Sequence, residues 1–136
     1  MRRAIRVVHV SLVVLITLAV LTQAVLAGQF VSGVSNAIPV HGAVGGVLEL
    51  AALVLLVVAI AHRVAGERSH VALIGSVSLA LALTVQAGLG WAPGAIPTAV
   101  HVPLGVCIFA GSLLLSIALT RRGASATRRA VAAAER

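Results

Sequence analysis

Four uninterrupted apolar stretches constrain this chain more than any other feature of its sequence. They cover about residues 5–27, 40–62, 71–90 and 98–120. A helix of about 20 apolar residues is long enough to cross the ~30 Å hydrocarbon core of a bilayer. With 136 residues, of which 60% are hydrophobic and 10% charged, the chain has too little polar surface to cover four such helices in water.

These stretches predict an all-α integral membrane protein. Residues 1–120 are expected to form an up-down bundle of four transmembrane helices, because short connections between consecutive helices favour antiparallel neighbours. Residues 121–136 are expected to form a basic cytoplasmic tail, either as a frayed helix next to the membrane or without regular structure.

The distribution of arginine predicts the orientation of the helices. The ten arginines precede the first stretch, lie between the second and third, or follow the fourth: Arg2, Arg3, Arg6, Arg63, Arg68, Arg121, Arg122, Arg128, Arg129 and Arg136. The other two loops, about 28–39 and 91–97, carry no charge. The positive-inside rule therefore predicts a multi-pass protein of the cell membrane with both termini in the cytoplasm.

The first stretch also has features of a cleaved signal peptide, with Arg2 and Arg3 before it and small residues near Ala27. A retained helix is favoured, because the run is longer than a usual signal sequence and has a counterpart in the repeat described below. The net charge of +7 predicts contact with the anionic inner leaflet of the lipid bilayer. Nucleic-acid binding is not expected, because no folded basic domain accompanies the arginines.

The two halves of the chain repeat one pattern. Residues 21–46 read LTQAVLAGQFVSGVSNAIPVHGAVGG, and residues 83–106 read LTVQAGLGWAPGAIPTAVHVPLGV. Each segment begins with Leu-Thr, reaches a glutamine (Gln23 or Gln86), passes an uncharged loop that ends in Ile-Pro, and opens the next helix with His-x-x-x-Gly. The glutamines are 63 residues apart and the histidines 60. This internal repeat predicts a duplicated helical hairpin.

The repeated histidines are the candidate ligands of a cofactor. His41 and His101 begin the second and fourth helices, which lie diagonally in an up-down bundle, and two imidazoles on opposite walls are typical axial ligands of haem b. Gly45 and Gly105 follow on the same helix faces and are predicted to leave room for the edge of the macrocycle. Zinc or copper is a weaker alternative, because two histidines alone leave such an ion under-coordinated.

The repeated glutamines have two interpretations that the sequence does not separate. Gln23 and Gln86 are expected at the depth of the histidines, where they can bind haem propionates, an imidazole N–H or water. Glutamines also join membrane helices by hydrogen bonds. In the third helix, the spacing of Gly75, Ser78 and Ala82 with Gln86 predicts that these four residues face inward.

The other ionisable residues are assigned lesser roles. His9, His62 and His70 are expected to be polar residues next to the membrane surface, with a second haem between His9 and His62 as the alternative. Glu49 is the only acidic residue inside a predicted span. Such a residue is a functional candidate for proton transfer or haem electrostatics, but a structural hydrogen bond to a neighbouring helix is favoured. Cys107 is interpreted as an apolar filler.

These motifs resemble those of two groups of membrane proteins. The Gln…His…Gln…His layout of Gln23, His41, Gln86 and His101 resembles that of small bacterial four-span membrane proteins. It is also similar to one four-helix half of haem A synthase, whose second and fourth helices carry facing histidines. Ile38 stands where that enzyme has an acidic residue. The resemblance implies membrane location and haem binding rather than haem A synthesis.

The sequence thus predicts a cytochrome b-like protein that binds haem b for electron transfer, haem handling or redox sensing. It is not predicted to be an enzyme, because two histidines would fill both axial positions. A membrane redox partner or a homo-oligomer is a candidate interaction. The alternatives are a non-haem accessory subunit, which Gly42 and Gly46 would suit through close helix contacts, and a small proton-coupled transporter that uses Glu49.

Overall fold

The computed structural model describes residues 1–66 and 69–135, without the side chains of 126–131, 133 and 134. These residues form four helices: α1 (Arg2–Val31), α2 (Ala37–Val64), α3 (His70–Trp91) and α4 (Ala95–Ala134). All four are long and apolar enough to cross a membrane. The predicted all-α membrane class is confirmed. Arg68 and Arg136, which contributed to the predicted orientation, lie outside the described residues.

Short turns connect the helices, and each turn contains one glycine with a positive φ angle. Gly33, Gly66 and Gly94 have φ values of 89°, 102° and 111°. Glycine adopts this left-handed conformation without the steric penalty that a Cβ atom brings. Gly33 and Gly66 directly follow the C-cap residues of α1 and α2, where this conformation commonly ends a helix, and Gly94 directly precedes α4. Ser69 then caps α3, because its Oγ accepts a hydrogen bond of 3.4 Å from the backbone N–H of Ala72.

Helix α4 is longer than its apolar stretch. It contains 40 residues and continues beyond residue 120 to Ala134. At 1.5 Å per residue its length is about 60 Å, roughly twice the thickness of a hydrocarbon core. Residues 121–134 of the tail therefore continue α4. Of the two states predicted for the tail, a helix and an irregular segment, the structure shows the helix.

The helices pack as an up-down bundle. Backbone contacts join α1 to α2, α2 to α3, α3 to α4 and α4 back to α1, whereas within the described residues the backbones of the diagonal pairs, α1–α3 and α2–α4, do not approach each other closely. The core between them contains Val13, Ile16, Leu55, Leu79 and Leu115. The ligand-bearing helices α2 and α4 are thus diagonal, as the sequence predicted.

The two ends of the bundle differ in charge. We call the end that contains Arg2, Arg6, Arg63 and Arg121 the arginine end, and the end formed by residues 32–36 and 92–94 the uncharged end. At the arginine end a Cβ atom on Gly66 would lie 3.1 Å from Cζ of Arg2. The first arginine of α1 therefore packs on the turn between α2 and α3.

Candidate functional site

His41 of α2 and His101 of α4 face each other across the uncharged end of the bundle. Their ring centroids are 6.1 Å apart, and the ring planes are inclined by 56°. Both residues are half-buried. The structure thus brings together the two histidines that the repeat singled out.

Each histidine is held by the glutamine of the preceding helix through its backbone. Gln23 Nε2 donates a hydrogen bond of 3.0 Å to the carbonyl oxygen of His41. Gln86 Nε2 makes the same 3.0 Å bond to the carbonyl oxygen of His101. The duplicated hairpins therefore share contacts as well as sequence. Of the two interpretations of the glutamines, these bonds match the one in which they join helices.

The repeated glycines accommodate these glutamines. A Cβ atom on Gly45 would lie 3.2 Å from Gln23 Nε2, and one on Gly105 would lie 3.1 Å from Gln86 Nε2. Both distances are shorter than ordinary van der Waals contact, so a side chain here would push the amide away from the histidine carbonyl. In the structure a glutamine amide occupies the space over each glycine, which the His-x-x-x-Gly spacing predicts for the edge of a macrocycle.

This contact predicts a position-specific effect of a large side chain. Gly45→Leu is expected to displace the Gln23 amide and to lower the free energy of unfolding by about 1–3 kcal/mol, as overpacking does. Gly46→Leu is the matched control, because no atom lies within 4 Å of a Cβ atom there, and it is expected to change stability by less than ~0.5 kcal/mol. Reversible unfolding in mixed micelles measures both. Equal effects at the two glycines would contradict the proposed contact.

The site contains buried polar atoms that lack a hydrogen-bond partner within the described part of the chain. They are Gln23 Oε1, Gln86 Oε1 and His41 Nδ1. Most buried polar atoms in proteins are paired, so a cluster of unpaired ones calls for an explanation such as a bound group or ordered water. Their concentration on the repeated side chains makes this end of the bundle the candidate binding site.

Glu49 lies deeper in α2 and joins α3. Thr84 Oγ1 donates a hydrogen bond of 3.1 Å to Glu49 Oε1. The other carboxyl oxygen, Oε2, is buried and has no partner among the residues described. The structure thus places Glu49 in the interhelical contact that the favoured interpretation of the sequence expected.

A second cluster of buried polar residues contains the His9–His62 pair and adds Ser76, which the sequence did not single out. His9 of α1, His62 of α2 and Ser76 of α3 are 0%, 5% and 0% exposed. The two imidazole rings are perpendicular, with centroids 5.1 Å apart. His9 and His62 are thus buried between helices near the arginine end, whereas His70 is exposed.

The hydrogen bonds of this cluster indicate which ring nitrogens of His9 and His62 carry a proton. Ser76 Oγ donates to the carbonyl oxygen of Ala72 at 2.8 Å, so it accepts from His9 Nε2–H, also at 2.8 Å. When both rings are neutral, His9 Nδ1 has a lone pair and accepts from Nδ1–H of His62, 2.9 Å away. The chain of bonds ends at a backbone carbonyl. This is a packing contact between three helices, and the rings are too close together for a haem between them, the alternative considered for this pair.

The inward face of α3 also differs from the one predicted. Ser78 is exposed, whereas Ser76 and Leu79 are buried. Gly75, Ala82 and Gln86 are half-buried, as the predicted stripe requires. The prediction is wrong for Ser78 because α3 is apolar on almost every face, and spacing alone does not decide which small residue turns inward.

No protein-family model, curated protein or solved structure matches the chain. The fold and the site define a multi-pass membrane protein of the four-helix-bundle class. A pseudo-symmetric pair of Gln–His–Gly units lies at its uncharged end.

Proposed function

We propose that this protein is a small membrane haem b protein in which His41 and His101 are the two axial ligands of the iron. Its role is electron transfer, haem handling or redox sensing. The observation that carries the proposal is the distance of 6.1 Å between the two ring centroids. Two imidazoles that bind one metal ion from opposite sides, through bonds of about 2.0–2.1 Å, hold their centroids roughly 6 Å apart.

The two histidines fit the iron of haem, which needs only two ligands from the protein. No group of three or more His, Cys, Asp or Glu side chains that suits a metal ion occurs in residues 1–66 and 69–135. A bare zinc or copper ion would therefore lack ligands at this site, whereas the macrocycle of haem supplies four nitrogens of its own. Haem bound there would supply a reversible one-electron couple.

The residues around the histidines would orient them. A carbonyl oxygen is only an acceptor, so the 3.0 Å contact between His101 Nδ1 and Gln86 O requires a proton on Nδ1. This leaves the lone pair of His101 on Nε2, as in most histidines that bind metals. Gln23 and Gln86 hold the backbone carbonyls of the two histidines and so position the helix turns that carry them.

The absorption spectrum of the purified protein tests the proposal. The full chain is expressed with ample haem, purified in detergent, and measured oxidised and after reduction with dithionite. A Soret band and the sharp visible bands of low-spin, six-coordinate haem are expected. Protein without a Soret band would contradict the proposal and would support the alternative of a membrane accessory subunit.

The termini lie in the cytoplasm of the proposed cell-membrane protein, and the haem site lies near the outer surface. The arginines at one end and the lack of charge at the other support this orientation. Reporter fusions after Arg122 and near Ala65 are expected to report cytoplasm, and fusions near Ser35 and Gly94 the outside. A cytoplasmic signal from either of the last two would contradict the four-span orientation.

Glu49 is predicted to be structural in this protein. In Glu49→Gln the side chain keeps an oxygen that accepts the hydrogen bond from Thr84 Oγ1, so assembly and the haem spectrum are expected to stay nearly unchanged. Potentiometric titration at several pH values measures the midpoint potential. A large shift of the potential, or of its pH dependence, would show that Glu49 tunes the haem or transfers protons instead.

A further inference from the structure

Gln86 of α3 and His101 of α4 are joined by two hydrogen bonds that run in opposite directions. Nε2 of Gln86 donates to the carbonyl oxygen of His101 at 3.0 Å, and Nδ1 of His101 donates to the carbonyl oxygen of Gln86 at 3.0 Å. The first bond holds the backbone of His101 and the second holds its ring. Because the ring is the part that would bind iron, the second bond decides which ring nitrogen faces the site.

Gly90, one turn after Gln86 in α3, lies against the ring of His101. A Cβ atom on Gly90 would lie 3.1 Å from Cε1, 3.6 Å from Nδ1 and 4.0 Å from Nε2 of His101. The Nδ1–Cε1 edge of the ring therefore packs on the bare backbone of α3, and Nε2 is the farthest of the three atoms from it. The distance to Cε1 is shorter than ordinary van der Waals contact, so an alanine at this position would push the ring away.

The geometry of an α-helix explains why residue 90 controls access to the carbonyl group of Gln86. In an α-helix this carbonyl accepts the backbone N–H of the residue four positions on, which is Gly90, and its second lone pair is left for the imidazole. A Cα–Cβ bond points toward the N-terminus of its helix, so a side chain at residue 90 would cover the turn that carries this carbonyl. Glycine leaves that turn open to the ring of His101.

We propose that Gly90 is a positioning residue of the haem site, which lets His101 donate its Nδ1–H to Gln86 and so present Nε2 to the iron. This inference rests on the proposed function, because it assigns to Gly90 the support of one ligand of the proposed haem. A hydrogen bond from the other ring nitrogen to a carbonyl fixes the tautomer and orientation of a metal-binding histidine and raises the basicity of the binding nitrogen. Its loss typically weakens metal binding by about 10–100-fold.

The same hydrogen bond affects the midpoint potential of the haem. A more basic imidazole donates more electron density and stabilises the oxidised iron relative to the reduced iron. Hydrogen bonds to the axial ligands are accordingly one of the means by which a protein sets the potential. Weakening the bond between His101 and Gln86 is therefore expected to shift the midpoint potential to more positive values.

Gly90→Ala is the test variant, and Gly88→Ala is its matched control. Both add one methyl group at an exposed residue in the last turn of α3, but no atom lies within 4 Å of a Cβ atom on Gly88. Gly90→Ala is expected to weaken haem binding by about 10-fold, at the lower end of the usual range because the ring is displaced rather than removed. Its midpoint potential is expected to be more positive. Gly88→Ala is expected to match the wild type in haem titrations and in potentiometric titrations.

The ring of His101 reports the contact without haem. In ¹⁵N spectra of the haem-free full chain in detergent, the wild type and Gly88→Ala are expected to show a hydrogen-bonded Nδ1–H on His101. Gly90→Ala is expected to weaken or lose this signal. Weaker haem binding in Gly90→Ala with an unchanged ring spectrum would contradict the inference, because the effect would not act through the hydrogen bond.

The outcomes separate this inference from the proposed function. Wild-type protein without a Soret band contradicts the proposed function, and the assignment of Gly90 to a haem site is then wrong as well. Low-spin haem that binds with equal affinity and equal midpoint potential in Gly90→Ala and Gly88→Ala would overturn only the role of Gly90.

Discussion

His41→Ala and His101→Ala are each expected to lose bound haem or to convert it from low spin to high spin. Removing either imidazole leaves the iron with one protein ligand and five-coordinate, and it removes part of the free energy that retains the haem. The ratio of haem to protein after purification and the spectra of both oxidation states measure the effect. Only these two residues are proposed to bind the iron, so no other substitution is expected to change the spectrum as much.

His70→Ala is the control for these two variants. His70 is an exposed histidine at the start of α3, at the arginine end, so its removal is expected to leave the haem content and the spectrum unchanged. Wild-type spectra in both His41→Ala and His101→Ala would exclude them as ligands. A loss of haem in His70→Ala equal to that in the other two would point to a general effect of losing a histidine.

The fold was predictable because a membrane imposes simple constraints. The length of the apolar stretches fixed the number of helices, and the short loops fixed their antiparallel order. The repeat then related Gln23 to Gln86 and His41 to His101 without any knowledge of distances. The structure reproduces these relations, because the same local sequence gives the same hydrogen bond in each hairpin.

The role of the glycines was not predictable in the same way. Spacing of four residues places Gly45 on the face of His41, but it does not say what fills the space over that face. Two groups compete for it, a macrocycle edge and the Gln23 amide, and only coordinates show that the amide lies there.

The burial of His9 and His62 beside Ser76 was not predicted, for a different reason. Only 22–28% of the residues in an 18-residue apolar window of each helix are buried inside the bundle, so hydrophobicity alone does not mark the core. The spacing of His9 relative to the apolar residues of α1 did indicate its burial. His9 precedes Val13, Ile16 and Val20 at intervals of three and four residues, and these residues form the buried face of α1. The positions of His62 and His70 at helix ends beside arginines favoured a place next to the membrane surface, although such a place does not exclude burial between helices.

The buried position of His9 predicts a large loss of stability at a residue outside the proposed haem site. His9→Ala removes a ring that is fully buried among three helices, and it takes from His62 and Ser76 their hydrogen bonds with that ring. Removing a large buried side chain leaves a cavity, and unpaired buried polar atoms add to the penalty. Interhelical hydrogen bonds in membranes contribute only about 0.6 kcal/mol each on average, so the cavity accounts for most of the effect.

His9→Ala is therefore expected to lower the free energy of unfolding by about 2–4 kcal/mol, as measured by reversible unfolding of the haem-free protein in mixed micelles. Ser76→Ala keeps most of the volume and is expected to lose only about 1 kcal/mol. His70→Ala, at an exposed site, is expected to lose less than ~0.5 kcal/mol. Comparing these losses of unfolding free energy distinguishes the contribution of packing from that of the hydrogen bonds. Equal losses in His9→Ala and Ser76→Ala would show that the hydrogen bonds dominate. Stability of His9→Ala equal to that of the wild type would show that His9 does not join the three helices, and the buried contact would be wrong.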